Sequence, residues 1–162
     1  MSKKRLAFLI LPLLLILSGC QSANSLHSSH VSLCQKTIID YVQLRDKGPI
    51  EDYQALFTQN ATFNIPKLNI ALTSSAQIAQ RAAQAIKNKK TIHMITSTDI
   101  QASGQSALSS TAHFILYMSD KNDLSAATKI FNGRYIDSLI IDKGRCLIAN
   151  RNVLIDRVDT LH

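Results

Sequence analysis

The segment TKIFNGRYIDSLIIDKGRCLIANRNVLID, residues 128–156, carries the strongest structural pattern in the sequence. Aliphatic and aromatic residues dominate it on both sides of the turn sequence Asp142-Lys143-Gly144, which predicts two antiparallel strands. The preceding residues, from 91 onward, have the same character and predict two more. The four predicted strands are 91–102, 106–118, 128–142 and 145–156. The C-terminal half is therefore expected to form an antiparallel meander.

Helical patterns precede this sheet. Apolar residues recur at helical spacing over residues 32–47, and Gly48-Pro49 then ends the helix. A short helical turn over 50–57 and a strand over 61–65 follow. Ser74 with Gln77 three residues later predicts a capping box at the start of a third helix. Helices followed by an antiparallel sheet indicate an α+β domain, in which the sheet curves around the helices.

The first twenty residues have the order of parts of an export signal. Lys3-Lys4-Arg5 is followed by an apolar run, residues 6–17, which is shorter than the ~20 residues that a spanning helix needs. Leu17-Ser18-Gly19-Cys20 matches the lipobox of bacterial lipoprotein signals at all four positions. This resemblance implies a signal peptide at 1–19 and lipidation of Cys20, followed by a flexible tether at 20–30 and a domain at 31–162. With Gln21 after the cysteine, it also implies an anchor in the outer membrane, facing the periplasm.

Composition excludes several classes of protein. The chain has 162 residues, 46% of them hydrophobic and 18% charged, which fits one globular domain. Without the three cations of the signal, 15 basic residues face 11 acidic ones, a scattered excess that does not predict nucleic-acid binding. We find no Gly-rich phosphate loop, serine-nucleophile elbow, Cys-X-X-Cys pair or closely spaced metal ligands, so neither a cofactor nor a metal is expected.

Three short motifs resemble the SnoaL-like branch of the NTF2-like superfamily. They are Asp52-Tyr53-Gln54-Ala55-Leu56-Phe57, Thr91-Ile92-His93 and Gly133-Arg134-Tyr135-Ile136-Asp137. Gly144 and Arg151 continue the last one, whereas Cys146 stands near the place where the family usually has tryptophan. The resemblance covers residues 32–156 and implies a cone: three N-terminal helices packed in a strongly curved antiparallel sheet around one apolar pocket.

The resemblance also implies candidate chemistry. His93 matches a pocket histidine of the superfamily's dehydratases, and an imidazole can transfer protons at neutral pH. A carboxylate at the end of the first helix would orient it or act as base. Asp46 is the candidate for this role, although Glu51 and Asp52 compete for the position. The alternative is that both residues are structural.

Strand alternation suggests further residues at the pocket wall. Tyr41, on the first helix, is expected to face the core with its hydroxyl at the pocket wall. If the relevant strand faces point inward, His93, His113, Tyr135 and Asp137 line the same pocket. This set could either transfer protons next to a carbonyl or form a buried hydrogen-bond network.

Cys34 and Cys146 remain as thiols once Cys20 is lipidated. An oxidising compartment would permit a disulfide between them, and the alternative is two small buried core residues.

Three functions remain open. The favoured one is a non-catalytic lipoprotein whose pocket binds a small, largely apolar molecule. The second is a cofactor-independent isomerase, cyclase or dehydratase, acting on an enolisable carbonyl compound through His93 and a helix carboxylate. The third is a homodimeric interaction module that uses an apolar outer sheet face with Ile130, Ile136 and Ile140.

Overall fold

A computed structural model of the protein describes residues 19–123 and 125–162. The helices are α1 (Gly19–Lys47), α2 (Ile50–Gln54) and α3 (Ser75–Asn88). The strands are β1 (Phe57–Ile65), β2 (Ile70–Leu72), β3 (Lys89–Ala102), β4 (Ala107–Asp120), β5 (Thr128–Asp142) and β6 (Arg145–Leu161). In this part of the chain no helix combines the length and hydropathy needed to cross a bilayer. The expected signal peptide, residues 1–19, lies outside the described residues except for Gly19.

Helix α1 begins much earlier than the expected start at Ser32. Residues 20–30, expected to form a tether, are its first turns in the structure. No glycine or proline interrupts residues 20–47, and serine hydroxyls bond to carbonyl oxygens one turn back. Ser29 Oγ, for example, donates to the Leu26 carbonyl at 2.8 Å. The helix ends at Lys47, before Gly48-Pro49, as expected. A Cβ on Gly48 would collide with Leu44, so a larger residue does not fit there.

The sheet has the strand order β2-β1-β6-β5-β4-β3. Strands β3 to β6 form the expected antiparallel meander. Strand β1 is the exception to antiparallel pairing, because it runs parallel to β6 and makes the sheet mixed. Bulges interrupt the ladders of β3 with β4 and of β5 with β6, and bulges bend strands. The sheet curves around three helices, which confirms the predicted α+β cone.

The core lies between the concave face of the sheet and the helices. Helix α1 contributes Ile38 and Tyr41, and α3 contributes Ile78. On the sheet, the even-numbered residues of β4 from 108 to 114 are buried, and so are the odd-numbered residues of β5 from 133 to 139. This alternation decides which side chains of the two central strands reach the interior.

A disulfide joins Cys34 of α1 to Cys146 of β6, with a Cα to Cα distance of 5.0 Å. Both cysteines are also buried in the core, so they form a disulfide and fill core positions at the same time. Thr37, one turn further along α1, donates a hydrogen bond to the carbonyl oxygen of Cys146 at 2.9 Å. The bond and the disulfide hold the middle of α1 against the start of β6.

Candidate functional site

A cavity of about 240 Å³ lies inside the cone, between α1, α3 and the concave face of the sheet. Most of its wall is apolar, as in most small-molecule sites. The apolar residues of the wall are Phe63, Ile65, Leu68, Leu72, Ile78, Ala82, Ala85, Phe114, Leu116, Met118, Phe131, Val153 and Ile155. The polar ones are Tyr41, Arg45, Tyr53, Arg81, His93 and Tyr135. A few polar groups in an apolar wall can orient a bound molecule.

His93 and Asp46 form a hydrogen-bonded pair at this wall. His93 Nδ1 lies 2.5 Å from Asp46 Oδ1, and the backbone N–H of His93 donates to Asp46 Oδ2 at 2.6 Å. The side chains are only 5% and 11% exposed. An ionised carboxylate can only accept, so Nδ1 of a neutral ring carries the proton. The lone pair of that ring is then on Nε2, the nitrogen that is free to react.

The packing of α1 against β3 selects Asp46 as the partner of His93. Asp46 is one residue from the end of α1 and is largely covered by β3. Glu51 and Asp52, the competing carboxylates, are exposed on α2. The last turn of α1 thus aims a carboxylate at the strand that carries the histidine.

The pair keeps Asp46 ionised at neutral pH. Burial raises the pKa of this carboxyl group, but hydrogen bonds from the His93 ring and backbone, together with the attraction to the ring, outweigh it. The pKa of Asp46 therefore lies below its ordinary value of 3.8. An ionised Asp46 stabilises the positive charge that the ring gains when Nε2 takes up a proton.

Tyr135 and Asp137 both point inward from β5, but only Tyr135 lines the cavity. Asp137 lies deeper, where both of its oxygens accept from Arg151, at 2.8 Å from Nε and 2.6 Å from Nη2. The Arg151 guanidinium lies 3.9 Å from the ring centre of Tyr41 and 4.3 Å from that of Tyr135. The Asp137–Arg151 ion pair therefore packs against the rings of Tyr41 and Tyr135 on the side away from the cavity and helps to fix their positions.

Two tyrosines of the cavity wall, Tyr53 and Tyr135, stay neutral. Burial raises the pKa of Tyr53 and of Tyr135 well above 10.0, and the nearby Tyr41 raises both further. Their hydroxyls can therefore offer a proton in a hydrogen bond to a ligand.

His113 does not line the cavity. It is exposed on the convex face of the sheet, where its Nδ1 lies 3.0 Å from Ser97 Oγ. The inward residues of β4 are the even-numbered ones, and a bulge at Thr96 places Ser97 on the outer face beside His113. Both faces of β4 carry apolar residues, so alternation alone could not identify the inner one.

The sequence analysis missed Arg45, Tyr53 and Arg81. Arg45 follows Tyr41 by one helical turn, so the same helix face carries both residues. That spacing is the signal that could have identified Arg45. Arg81 is exposed at the wall, on α3.

The family model of the SnoaL-like domain matches residues 32–152. The chain belongs to this family. Three solved structures share the fold of this SnoaL-like domain. A proposed scytalone dehydratase from Novosphingobium aromaticivorans has 14% identity and a TM-score of 0.77, and the match covers 86% of this chain and 92% of that one. The dehydrochlorinase LinA-type3 from Novosphingobium barchaimii has 8% identity and a TM-score of 0.75, with 85% and 94% covered. ActVI-ORFA from Streptomyces coelicolor has 15% identity and a TM-score of 0.60, with 78% and 96% covered.

No curated protein matches the chain in sequence. The match to the family model confirms the resemblance to the SnoaL-like family. The identities of the solved structures are low, so those structures show the fold alone. Within the SnoaL-like domain, the arrangement of His93 and Asp46 can accept a proton from a molecule in the cavity and return it.

Proposed function

We propose that this SnoaL-like domain catalyses a proton transfer on a small, largely apolar carbonyl compound, as a cofactor-independent lyase or isomerase. The pairing of His93 with Asp46 at the wall of an apolar cavity carries the proposal. His93 Nε2 removes a proton from the carbon next to the carbonyl, which leaves an enolate. In an isomerase the ring returns the proton at another carbon, and in a lyase the enolate expels a leaving group.

Asp46 serves this reaction by position and charge. It holds the proton on Nδ1, so that Nε2 is the base, and it stabilises the imidazolium that forms. Two of the solved structures that share the fold are named as a dehydratase and a dehydrochlorinase, both of which are lyases. These names support a lyase without identifying the substrate.

Exchange of carbon-bound protons for deuterium tests the proposal without knowledge of the product. We expect the purified domain in D₂O to exchange the α-protons of at least one ketone in a panel that starts with acetophenone and 2-tetralone. Proton NMR measures the exchange as the loss of the α-proton signal. His93→Ala should slow this exchange by about 10²- to 10⁴-fold. His113→Ala is the matched control, because it removes a histidine from the outer face of the same sheet.

The rival function is a protein that binds a small apolar molecule in the same cavity without reacting with it. Native mass spectrometry of the domain from its own host would show a retained ligand. A domain that holds such a ligand and exchanges no ketone would be a binding protein. Exchange that persists in His93→Ala would also refute the catalytic proposal.

We also infer that the protein is exported and anchored by lipid at Cys20 to the outer membrane. The charged start, the apolar run and the lipobox Leu17-Ser18-Gly19-Cys20 support this, and so does the disulfide, because disulfides persist in oxidising compartments. Cells fed an alkyne-labelled palmitate should label the wild type in the outer-membrane fraction. Cys20→Ala should remove the label, whereas Cys34→Ala, the control, should keep it.

A further inference from the structure

Arg45 is a cation of the cavity wall that the proposed function does not use. It lies on α1, next to Asp46, and lines the cavity. Its Nη1 is buried and has no hydrogen-bond partner among the described residues. A buried guanidinium nitrogen without a partner destabilises the protein, because it has lost its hydrogen bonds to water and forms none to the protein. Arg45 is therefore available to form a hydrogen bond to a ligand in the cavity.

The protein supplies no carboxylate to Arg45. The interior carboxylates of the described chain are Asp46 and Asp137, and both already use their two oxygens. Asp46 accepts from the ring and backbone of His93, and Asp137 accepts from Arg151. A second cation, Arg81, lies at the wall. Neither interior carboxylate of the described chain is therefore hydrogen-bonded to Arg45.

We propose that the ligand of this cavity is a small apolar molecule with one carboxylate, which Arg45 binds. The planar fork of a guanidinium matches a carboxylate in shape and charge, and such charged hydrogen bonds strengthen where water is excluded. The apolar wall surrounds the rest of the molecule. The inference rests on the proposed function only in that both use this cavity, and binding of the acid needs no proton transfer by His93.

Pairs of acids and amides test the inference. The probes are benzoate, phenylacetate and cyclohexanecarboxylate, each beside its neutral amide, titrated into the domain by calorimetry. At least one acid should bind about 10- to 100-fold more tightly than its amide. Arg45→Met should abolish this preference and Arg45→Lys should keep part of it. Lys47→Met, which removes an exposed cation from the same helix, should leave it within about twofold.

The inference is wrong if no acid binds more tightly than its amide, or if folded Arg45→Met retains the preference. It is also wrong if inorganic phosphate binds as tightly as the best acid, since the apolar wall would then contribute nothing. A domain that prefers the acids but exchanges no ketone proton would refute the proposed proton transfer and leave this inference standing.

Discussion

Removing the disulfide between Cys34 and Cys146 should cost a large part of the stability of the domain. The two cysteines are 112 residues apart in sequence, so the bond closes most of the domain into one loop. The loop-closure relation puts the entropy that the crosslink removes from the unfolded chain at about 16 cal/mol/K, or about 4.8 kcal/mol at 25 °C.

The corresponding fall in melting temperature follows from the size of the domain. Unfolding of globular proteins gains about 2.1 cal/mol/K per residue, so a domain of about 130 residues gains about 0.27 kcal/mol/K. Dividing the loss of about 4.8 kcal/mol by this entropy of unfolding predicts that Tm falls by about 18 °C. Measured losses for native disulfides of about 2–5 kcal/mol would correspond to about 7–18 °C.

The assay is thermal unfolding followed by circular dichroism, on protein that begins at Gln21. The wild type is compared with the Cys34→Ala, Cys146→Ala double variant and with reduced wild type. Reduced wild type keeps both sulfur atoms in the core, so it separates loss of the crosslink from loss of packing. A decrease of less than about 4 °C in the reduced wild type, or about 1 kcal/mol, would refute the reasoning.

Three further predictions concern charge and assembly. Asp137→Asn leaves the buried cation of Arg151 unpaired and should cost about 3–5 kcal/mol in urea unfolding; a loss below 1 kcal/mol would contradict this. The depressed pKa of Asp46 stabilises the fold above pH 3.8, and this contribution is lost as pH falls through the folded-state pKa, so the advantage of wild type over Asp46→Asn should shrink there. An advantage that is constant from pH 7 to 2 would exclude it. Ile92 and Met94 are 48% and 40% exposed on the outer sheet face, so light scattering should detect a dimer that Ile92→Asp dissociates, whereas a wild-type monomer at high concentration would rule the dimer out.

The sequence alone was sufficient for the family and for the order of the elements except β2, a three-residue strand that it did not predict. Strand patterns, turn glycines and Gly48-Pro49 are local features, and local sequence determines them through backbone conformation and hydrophobic alternation. The motif around Gly133 could be recognised without the structure. The need for a glycine there is tertiary, because a Cβ would collide with the Leu154 carbonyl and the ring of Phe114 on the neighbouring strands.

Only the tertiary structure decided which residues form the site. Asp46 rather than Glu51 meets His93 because α1 packs on β3, a contact between segments 47 residues apart. His113 points outward because register and a bulge assign the faces of β4, whose two sides are similarly apolar. Arg45 could be identified as a cation without a carboxylate partner only when the partners of the interior carboxylates were known. The pattern of apolar residues along the chain determines which segments form helices and strands. Long-range packing determines which face of a strand is buried and which polar group has no partner.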